Sequence, residues 1–314
     1  MKRFTGVREV AEGFNNPIVT IGNFDGVHKG HQEILRRAQE ERDALGGGDL
    51  IVFTFQPHPH VVLRPEARVE LLTHYSERAD RLGESQVTAL VEEPFSRNLS
   101  TRSPEQFFNE FLVRGLGAKV IVVGYDFAFG KEREGSLDRL KALCEQAGVK
   151  LVIVPPFEVN GEVVSSTRIR EYLKQGRVRD AERLLGYAFF YKGVVQKGDG
   201  RGHQLGFPTA NLKLETKLTL PYGVYATRAL VKGRVFDSIT NVGVRPTFHT
   251  EEEAPVLIET HLFDVDLDLY GEALQVEFVD RVREERKFPS LEALKAQIID
   301  DITTARQQLK KVVS

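Results

Sequence analysis

Residues 17–31, PIVTIGNFDGVHKGH, decide the fold: an apolar run rich in β-branched residues enters a turn punctuated by Gly22 and Gly26, and a helix begins near His28 to His31. The same alternation continues to Phe157. Apolar runs LIVFTF (50–55), VTALVEEPF (87–95), KVIVVG (119–124) and KLVIVPPF (150–157) alternate with helix-patterned HQEILRRAQEERDAL (31–45), PEQFFNEFLVRGL (104–116) and LDRLKALCEQAG (137–148). This rhythm predicts a doubly wound parallel α/β sheet, with Ser103 and Pro104 opening one helix and Phe107, Phe108, Phe111 and Leu112 forming its buried face.

Past Pro155 and Pro156 come two short Arg-rich helical segments, SSTRIREYLKQG (165–176) and RVRDAERLLG (177–186). The pattern then changes, and the boundary is expected near Gly186, giving domains 1–186 and 187–314. FFYKGVVQKG, GVYATRALV, RVFDSITNVG, VLIETHLF and EALQVEFVDRV follow one another without intervening helices, which predicts a small antiparallel β-barrel. A closing helix is marked by Ser290 as N-cap and by Leu291, Leu294, Ile298, Ile302, Ala305 and Leu309 at helical spacing. A length of 314 residues independently favours two domains.

Composition narrows the function. With 43 basic and 45 acidic side chains the formal charge is −2, so there is no general field for nucleic acid or anionic membranes, and neither partner is expected. No apolar run reaches the length of a spanning helix, and MKRFTGVREVAEGF lacks the apolar core of a signal peptide. A cytoplasmic location follows as the expectation. Cys144 is the only cysteine, which excludes an intramolecular disulfide or a multi-thiolate zinc site and points any metal to oxygen ligands. A zinc site of His28, His31, His58 and His60 lacks the HExxH spacing.

The turn at 22–31 lies where open α/β sheets bind ligands, and free N–H groups with a helix dipole attract phosphate there. His28 and His31 can both donate to phosphate oxygens, and Gly30 leaves room for a nucleotide. The other reading of this histidine pair is helix capping. VSSTRIR (164–170) combines hydroxyls at a helix start with Arg170 one turn later, suited to a pyrophosphate; the alternatives are N-caps and a solvated face of Arg168, Arg170, Arg177 and Arg179. In the second half, KGDGRGHQLGFPTANL (197–212) sets Gly198, Gly200, Gly202 and Gly206 before Thr209 and Asn211. Such a loop can wrap a polyphosphate, although a barrel corner is also glycine-rich. Two residues apart on a strand, Thr209 and Asn211 share a face and offer neutral oxygens to Mg2+. Glu259, in VLIETHLFD, is the candidate general base for a substrate hydroxyl, or else a solvent-facing carboxylate.

TIGNFDGVHKGH, VVGYDFAFG (122–130) and SSTRIR occur in the order of the adenylyltransferase module of bacterial bifunctional riboflavin kinase/FAD synthetases, within the HxGH nucleotidyltransferase superfamily. GRGHQLGFPTANL, GVYA, NVGVRPTF, IETHLFD, LYGEALQVEF and REERKFPSLEALKAQI occur in the order of riboflavin kinases, which are small six-stranded barrels. The resemblance covers nearly the whole chain. It implies phosphorylation of riboflavin by ATP to FMN and transfer of AMP from ATP to FMN, giving FAD and pyrophosphate. By that resemblance Gly22, Asn23, Phe24, Asp25, His28 and His31 belong to the ATP site of the first half, closed by Asp126, Ser166, Thr167 and Arg170. PHPH (57–60) is similar to the flavin-side loop. Ala128 stands where many relatives carry Arg, with Lys131 or Arg133 as substitutes. In the second half the resemblance gives Thr209 and Asn211 to Mg2+ and ATP, Glu259 to proton removal, and Phe207 and Arg283 to nucleotide or flavin; His203 stands where relatives are often basic. Two rival readings remain: a kinase fused to a nucleotidyltransferase with another acceptor, and a flavin-binding sensor joined to a regulatory nucleotide module.

Overall fold

Six parallel strands form the first sheet, in the order β1-β4-β3-β2-β5-β6. They are β1 Lys2–Phe4, β2 Ile18–Ile21, β3 Leu50–Gln56, β4 Ala89–Pro94, β5 Val120–Gly124 and β6 Lys150–Val154. The computed structural model describes the chain except residues 67–69, 132–133, 198–201, 203–205, 214–217, 219, 245–255, 266 and 312–314. β2, β3 and β5 are almost wholly buried, which is why they read as continuous apolar runs rather than as alternating ones. Successive crossovers run outward from β2 through β3 to β4, and the chain then returns to place β5 on the other side of β2. The strand order therefore reverses between β2 and β5, the place where a crevice opens at the carboxyl ends.

Helices cover both faces. α1 Lys29–Ala44 packs on β2 and β5 through Leu35 and Ala38, in one apolar layer with Ile18, Val52 and Val122. α2 Pro59–Leu63 and α3 Tyr75–Gly83 lie between β3 and β4. α4 Arg97–Ser100 and α5 Pro104–Phe107 follow β4, and α5 opens on a capping box of Ser103 and Gln106 before widening into a π-helical segment, Phe108–Gly115. Phe107, Phe108 and Leu112 are buried against the sheet with α6 Leu137–Ala147, so the expected phenylalanine face is core.

After a short hairpin of β7 Glu158–Val159 and β8 Glu162–Val163 come α7 Ser166–Lys174 and α8 Val178–Leu185. Packing divides the chain between Ser166 and Thr167, about one helix pair before the expected Gly186. The physical reason is α8, whose Val178, Ala181, Leu184 and Leu185 are buried and which packs on strand β14 Ala273–Glu284. Arg179 adds an ion pair to Asp280 of that strand at 2.9 Å.

The second unit is a closed antiparallel barrel in the order β10-β13-β12-β11-β14-β9. Its remaining strands are β9 Phe190–Gln196, β10 Ala210–Lys213, β11 Gly223–Val231, β12 Arg234–Val244 and β13 Val256–Leu262. One set of alternate residues is buried, with Leu212 opposite Ile258 and the hydroxyls of Thr227, Ser238, Thr240 and Thr260 linked at 2.8 to 3.0 Å. Those hydroxyls satisfy one another, so burying them leaves no polar group unpaired. The C-terminal helix, Leu291–Lys310, covers Val224, Ala226, Ile239 and Val279 with Ile302, Ala305 and Leu309. Only the second half of its apolar stripe is buried; Leu291 is 62% exposed. No helix among the described residues is long and apolar enough to cross a membrane.

Candidate functional site

The turn after β2 stands at the carboxyl end of the strand order's reversal. Phe24 and Val27 adopt left-handed φ of 51° and 36°, with Gly26 between them at 86°. Non-glycine residues hold such φ values only when the surroundings over-determine them. Asp25 supplies part of that restraint: its buried carboxylate accepts from Leu72 N at 2.9 Å, Thr73 N at 3.1 Å and Thr73 Oγ1 at 3.3 Å. Gly26 N donates to Thr73 Oγ1 at 3.0 Å, and Ser166 Oγ donates to the Asp25 carbonyl at 2.9 Å. Asp25 thus shapes the turn through the backbone.

His28 is the N-cap of α1, its Nδ1 accepting from His31 N at 3.3 Å. An accepting Nδ1 puts the proton of the neutral ring on Nε2 and makes that nitrogen the donor. The capping and phosphate-donor readings are therefore compatible, one per ring nitrogen. The two imidazoles stack, with centroids 3.6 Å apart and planes 15° off parallel, and His31 also lies 5.0 Å from the Phe24 ring. A Cβ at Gly30 would come within 3.2 Å of the His28 ring, so the glycine makes room for that imidazole. A Cβ at Gly22 would likewise meet the Phe24 ring at 3.2 Å. The Asn23 side chain is exposed, while its carbonyl accepts from Arg78 Nη1 at 3.0 Å.

Burial, and after it the charge of His28, holds the His31 imidazole well below its ordinary value of 6.5. The ring is neutral at pH 7. A depressed native value means the unfolded chain takes up its proton first, so this contribution to stability is complete above pH 6.5 and is lost as pH falls toward the native value. The thermal midpoint of the first unit should therefore drop between about pH 7 and about pH 5. His31→Phe, which keeps the ring contact and removes the titration, should flatten that part of the curve in calorimetry.

Asp126 follows β5, the neighbour of β2, and is exposed; its Oδ1 lies 3.2 Å from the Cβ position of Gly124, where α1 presents Ile34 Cδ1 at 3.4 Å. The PHPH loop follows β3, the other neighbour of β2. In it His58 Nδ1 accepts from His60 N at 3.2 Å and His58 N donates to the Tyr75 hydroxyl at 2.8 Å. Three adjacent strand ends thus deliver the turn, Asp126 and this loop to one edge. On α7, Thr167 is exposed and Arg170 half-buried. Ala128 is half-buried and Lys131 exposed, while Arg133 lies outside the described residues. Arg168 and Arg177 both stand over the Tyr172 ring, at 4.6 and 4.4 Å, and pair with Glu171 and Asp180.

In the barrel, register makes one row of polar residues: Gln196 on β9 pairs with Asn211 on β10, Asn211 with Glu259 on β13, and Glu259 with Asn241 on β12. Their neighbours Leu212, Ile258, Thr240 and Thr260 are buried inside the barrel, so the row lies on the opposite face of the strands, where Asn211 is itself buried and Glu259 and Asn241 are half-buried. Directly paired residues bring their Cβ atoms to about 5 Å, which sets an amide on each side of the carboxylate. Thr209 precedes the row, and its carbonyl accepts from Asn211 Nδ2 at 3.5 Å. Phe207 N donates to Gly202 O at 2.8 Å, and a Cβ at Gly202 would strike Phe207 O at 2.5 Å and crowd Thr209 Oγ1 at 3.1 Å. Gly206 takes φ 88°. Phe207 meets His261 edge-on at 5.8 Å, and His261 Nδ1 donates to Pro208 O at 2.8 Å. Gly198, Gly200 and His203 lie outside the described residues. Arg283 pairs with Asp301 of the C-terminal helix, at 3.0 Å from Nε and 2.9 Å from Nη2.

Sequence reasoning did not single out Thr73, Arg78, Glu92 or Asn241. Alternation along NVGV gave a signal for Asn241; the others become neighbours only through the fold. Among the described residues no group of three or more His, Cys, Asp or Glu is placed to hold a metal ion.

Two family models match: FAD synthetase over residues 11–168 and Riboflavin kinase over residues 185–309. The chain is 35% identical over 287 residues to a bifunctional riboflavin kinase/FMN adenylyltransferase of Bacillus subtilis (strain 168), covering 90% of each. It is 35% identical over 309 residues to that of Escherichia coli (strain K12), covering 98% of this chain and 97% of the relative. A Streptococcus pneumoniae crystal structure titled a macrolide-efflux protein shares the fold with a TM-score of 0.87 at 30% identity, covering 97% of this chain and 98% of that one.

Proposed function

The chain belongs to the family of bifunctional riboflavin kinase/FMN adenylyltransferases, making FMN from riboflavin and FAD from FMN, and we propose how its residues divide that work. The pairing of Asn211 with Glu259 carries the reading, since it sets a neutral oxygen ligand beside a carboxylate on one face of the barrel. In the kinase reaction the ribityl hydroxyl oxygen attacks the γ-phosphorus of ATP, its proton passes to Glu259, and ADP leaves. The hydroxyl of Thr209 and the amide oxygen of Asn211 suit Mg2+, a hard cation that takes most of its ligands from nucleotide phosphates and water. Bound there, Mg2+ would neutralise charge on the β- and γ-phosphates. Gly202, Gly206 and Phe207 shape the approach to Thr209.

In the other half an FMN phosphate oxygen attacks the α-phosphorus of ATP and pyrophosphate leaves. That nucleophile is already ionised, so alignment and charge stabilisation suffice. His28 Nε2 is a preorganised donor for the leaving phosphates, with His31 stacked behind it, and the N-terminal dipole of α1 adds to the same field. Asp126 and Asn23 are available to the nucleotide, and the PHPH loop to the flavin. Ser166 and Asp25 set the shape of the turn. The functional boundary is assigned near Gly186, close to residue 185 where the kinase model begins, while α7 and α8 support the barrel. ATP consumption in both halves suits the cytoplasm.

Incubation with riboflavin, ATP and Mg2+, followed by chromatography of the flavins, should yield FMN first and FAD after it. FMN as the only product would assign the first half another acceptor, and unchanged riboflavin would overturn the kinase reading.

A further inference from the structure

We propose that Arg78 is a positioning residue for adenylyl transfer, holding the nucleotide-side turn from beneath; this rests on the reading of residues 22–31 as the adenylyl site. Arg78 lies on α3 and is 3% exposed. Its Nη1 donates to the Asn23 carbonyl at 3.0 Å and its Nη2 to Glu92 Oε1 at 2.9 Å. Glu92, itself buried, takes Arg3 Nη2 on its other oxygen at 2.7 Å. The guanidinium carbon stands 5.1 Å from the centroid of the Tyr75 ring, whose hydroxyl accepts from His58 N. Residues 72–78 therefore grip the turn at Asn23, Asp25 and Gly26 and the PHPH loop at His58.

Two observations separate this role from stabilisation. A buried ion pair is weak evidence for stability, because an apolar pair of similar volume does as well or better. Arg78 is also incompletely satisfied, its buried Nε having no hydrogen-bond partner among the described residues. Its Nη1 contact instead reaches the carbonyl just before Phe24, the first of the left-handed residues in the turn. Releasing that carbonyl lets the peptide between Asn23 and Phe24 rotate, which moves the Phe24 N–H and the ring that packs against His31.

The discriminating variant is Arg78→Met/Glu92→Leu, which replaces the pair by apolar side chains, removes the hold on Asn23 together with the longer contacts to the Phe55 carbonyl, and leaves the half-exposed Arg3 to solvent. Misplacement of a reacting group by about 1 Å costs on the order of 100-fold, so kcat for FAD formation from FMN should fall about 10- to 100-fold. KM for ATP should rise, the thermal midpoint of the first unit should stay near the parental value, and FMN formation from riboflavin should be unchanged. Parental kcat and KM for ATP in this variant would overturn the proposal. Should the double variant fail to fold, Arg78→Lys decides. It keeps the charge opposite Glu92 without the planar fork, and parental kinetics there would overturn the proposal equally. A parental protein that makes no FAD would instead remove the adenylyl reading itself.

Discussion

Glu259→Gln should lower FMN formation by about 100- to 10,000-fold, the usual worth of general-base assistance, while Mg-ATP affinity and the adenylylation of supplied FMN are retained. The substitution keeps the size and hydrogen-bonding shape of the side chain and removes only its basicity. Glu259 stands in register between Asn211 and Asn241, so a glutamine there has an amide residue on each side. Asn211→Ala should behave differently. It removes an oxygen from the proposed Mg-ATP site, so nucleotide affinity should weaken before turnover does. Near-parental turnover of Glu259→Gln with saturating riboflavin would leave the carboxylate an orienting role for the ribityl chain.

Replacing His28 and His31 together with Ala should abolish FAD formation without affecting FMN formation, since each lost preorganised donor costs about 100- to 1,000-fold in rate. His28 has a structural duty as N-cap of α1, and losing a cap typically costs about 1 kcal/mol. His28→Asn separates the two duties, because Asn caps as well as any residue but cannot reach as far as imidazole Nε2. That variant should fold with parental stability and still make FAD slowly. Parental FAD rates in the double-Ala variant would show that neither histidine stabilises the leaving pyrophosphate.

The turn to which the adenylyl site is assigned was legible in the sequence because every part of its signal is local. A strand, a glycine-bounded turn and a helix start fall within PIVTIGNFDGVHKGH, and the backbone between them has one short path. The barrel row was half legible. Alternation put Thr209 and Asn211 on one side, and the resemblance singled out Glu259. That Asn211 stands beside Glu259, with Asn241 beyond it, required the pairing of β10, β13 and β12. The pairing of Arg283 with Asp301 of the C-terminal helix joins residues 18 apart in sequence, a contact that no spacing rule foretells.

The sequence by itself determined the two architectures and their order, since hydrophobic period and turn chemistry act over a few residues and are written in consecutive ones. It determined that no multi-thiolate metal site can be built, because the chain has one cysteine. Tertiary structure alone decided what holds the site in shape. Arg78 and Glu92 are 14 residues apart and Arg3 and Glu92 are 89 apart, yet they form one chain of charge, buried at Arg78 and Glu92, that ends on the Asn23 carbonyl. It also decided that α8, which follows the Pro155-Pro156 linker and reads as part of the first half, belongs by packing to the barrel through β14. In both cases the reason is the same: desolvation makes a buried charge or apolar face depend on whichever partner the fold brings within contact, and that partner's distance along the chain is unconstrained.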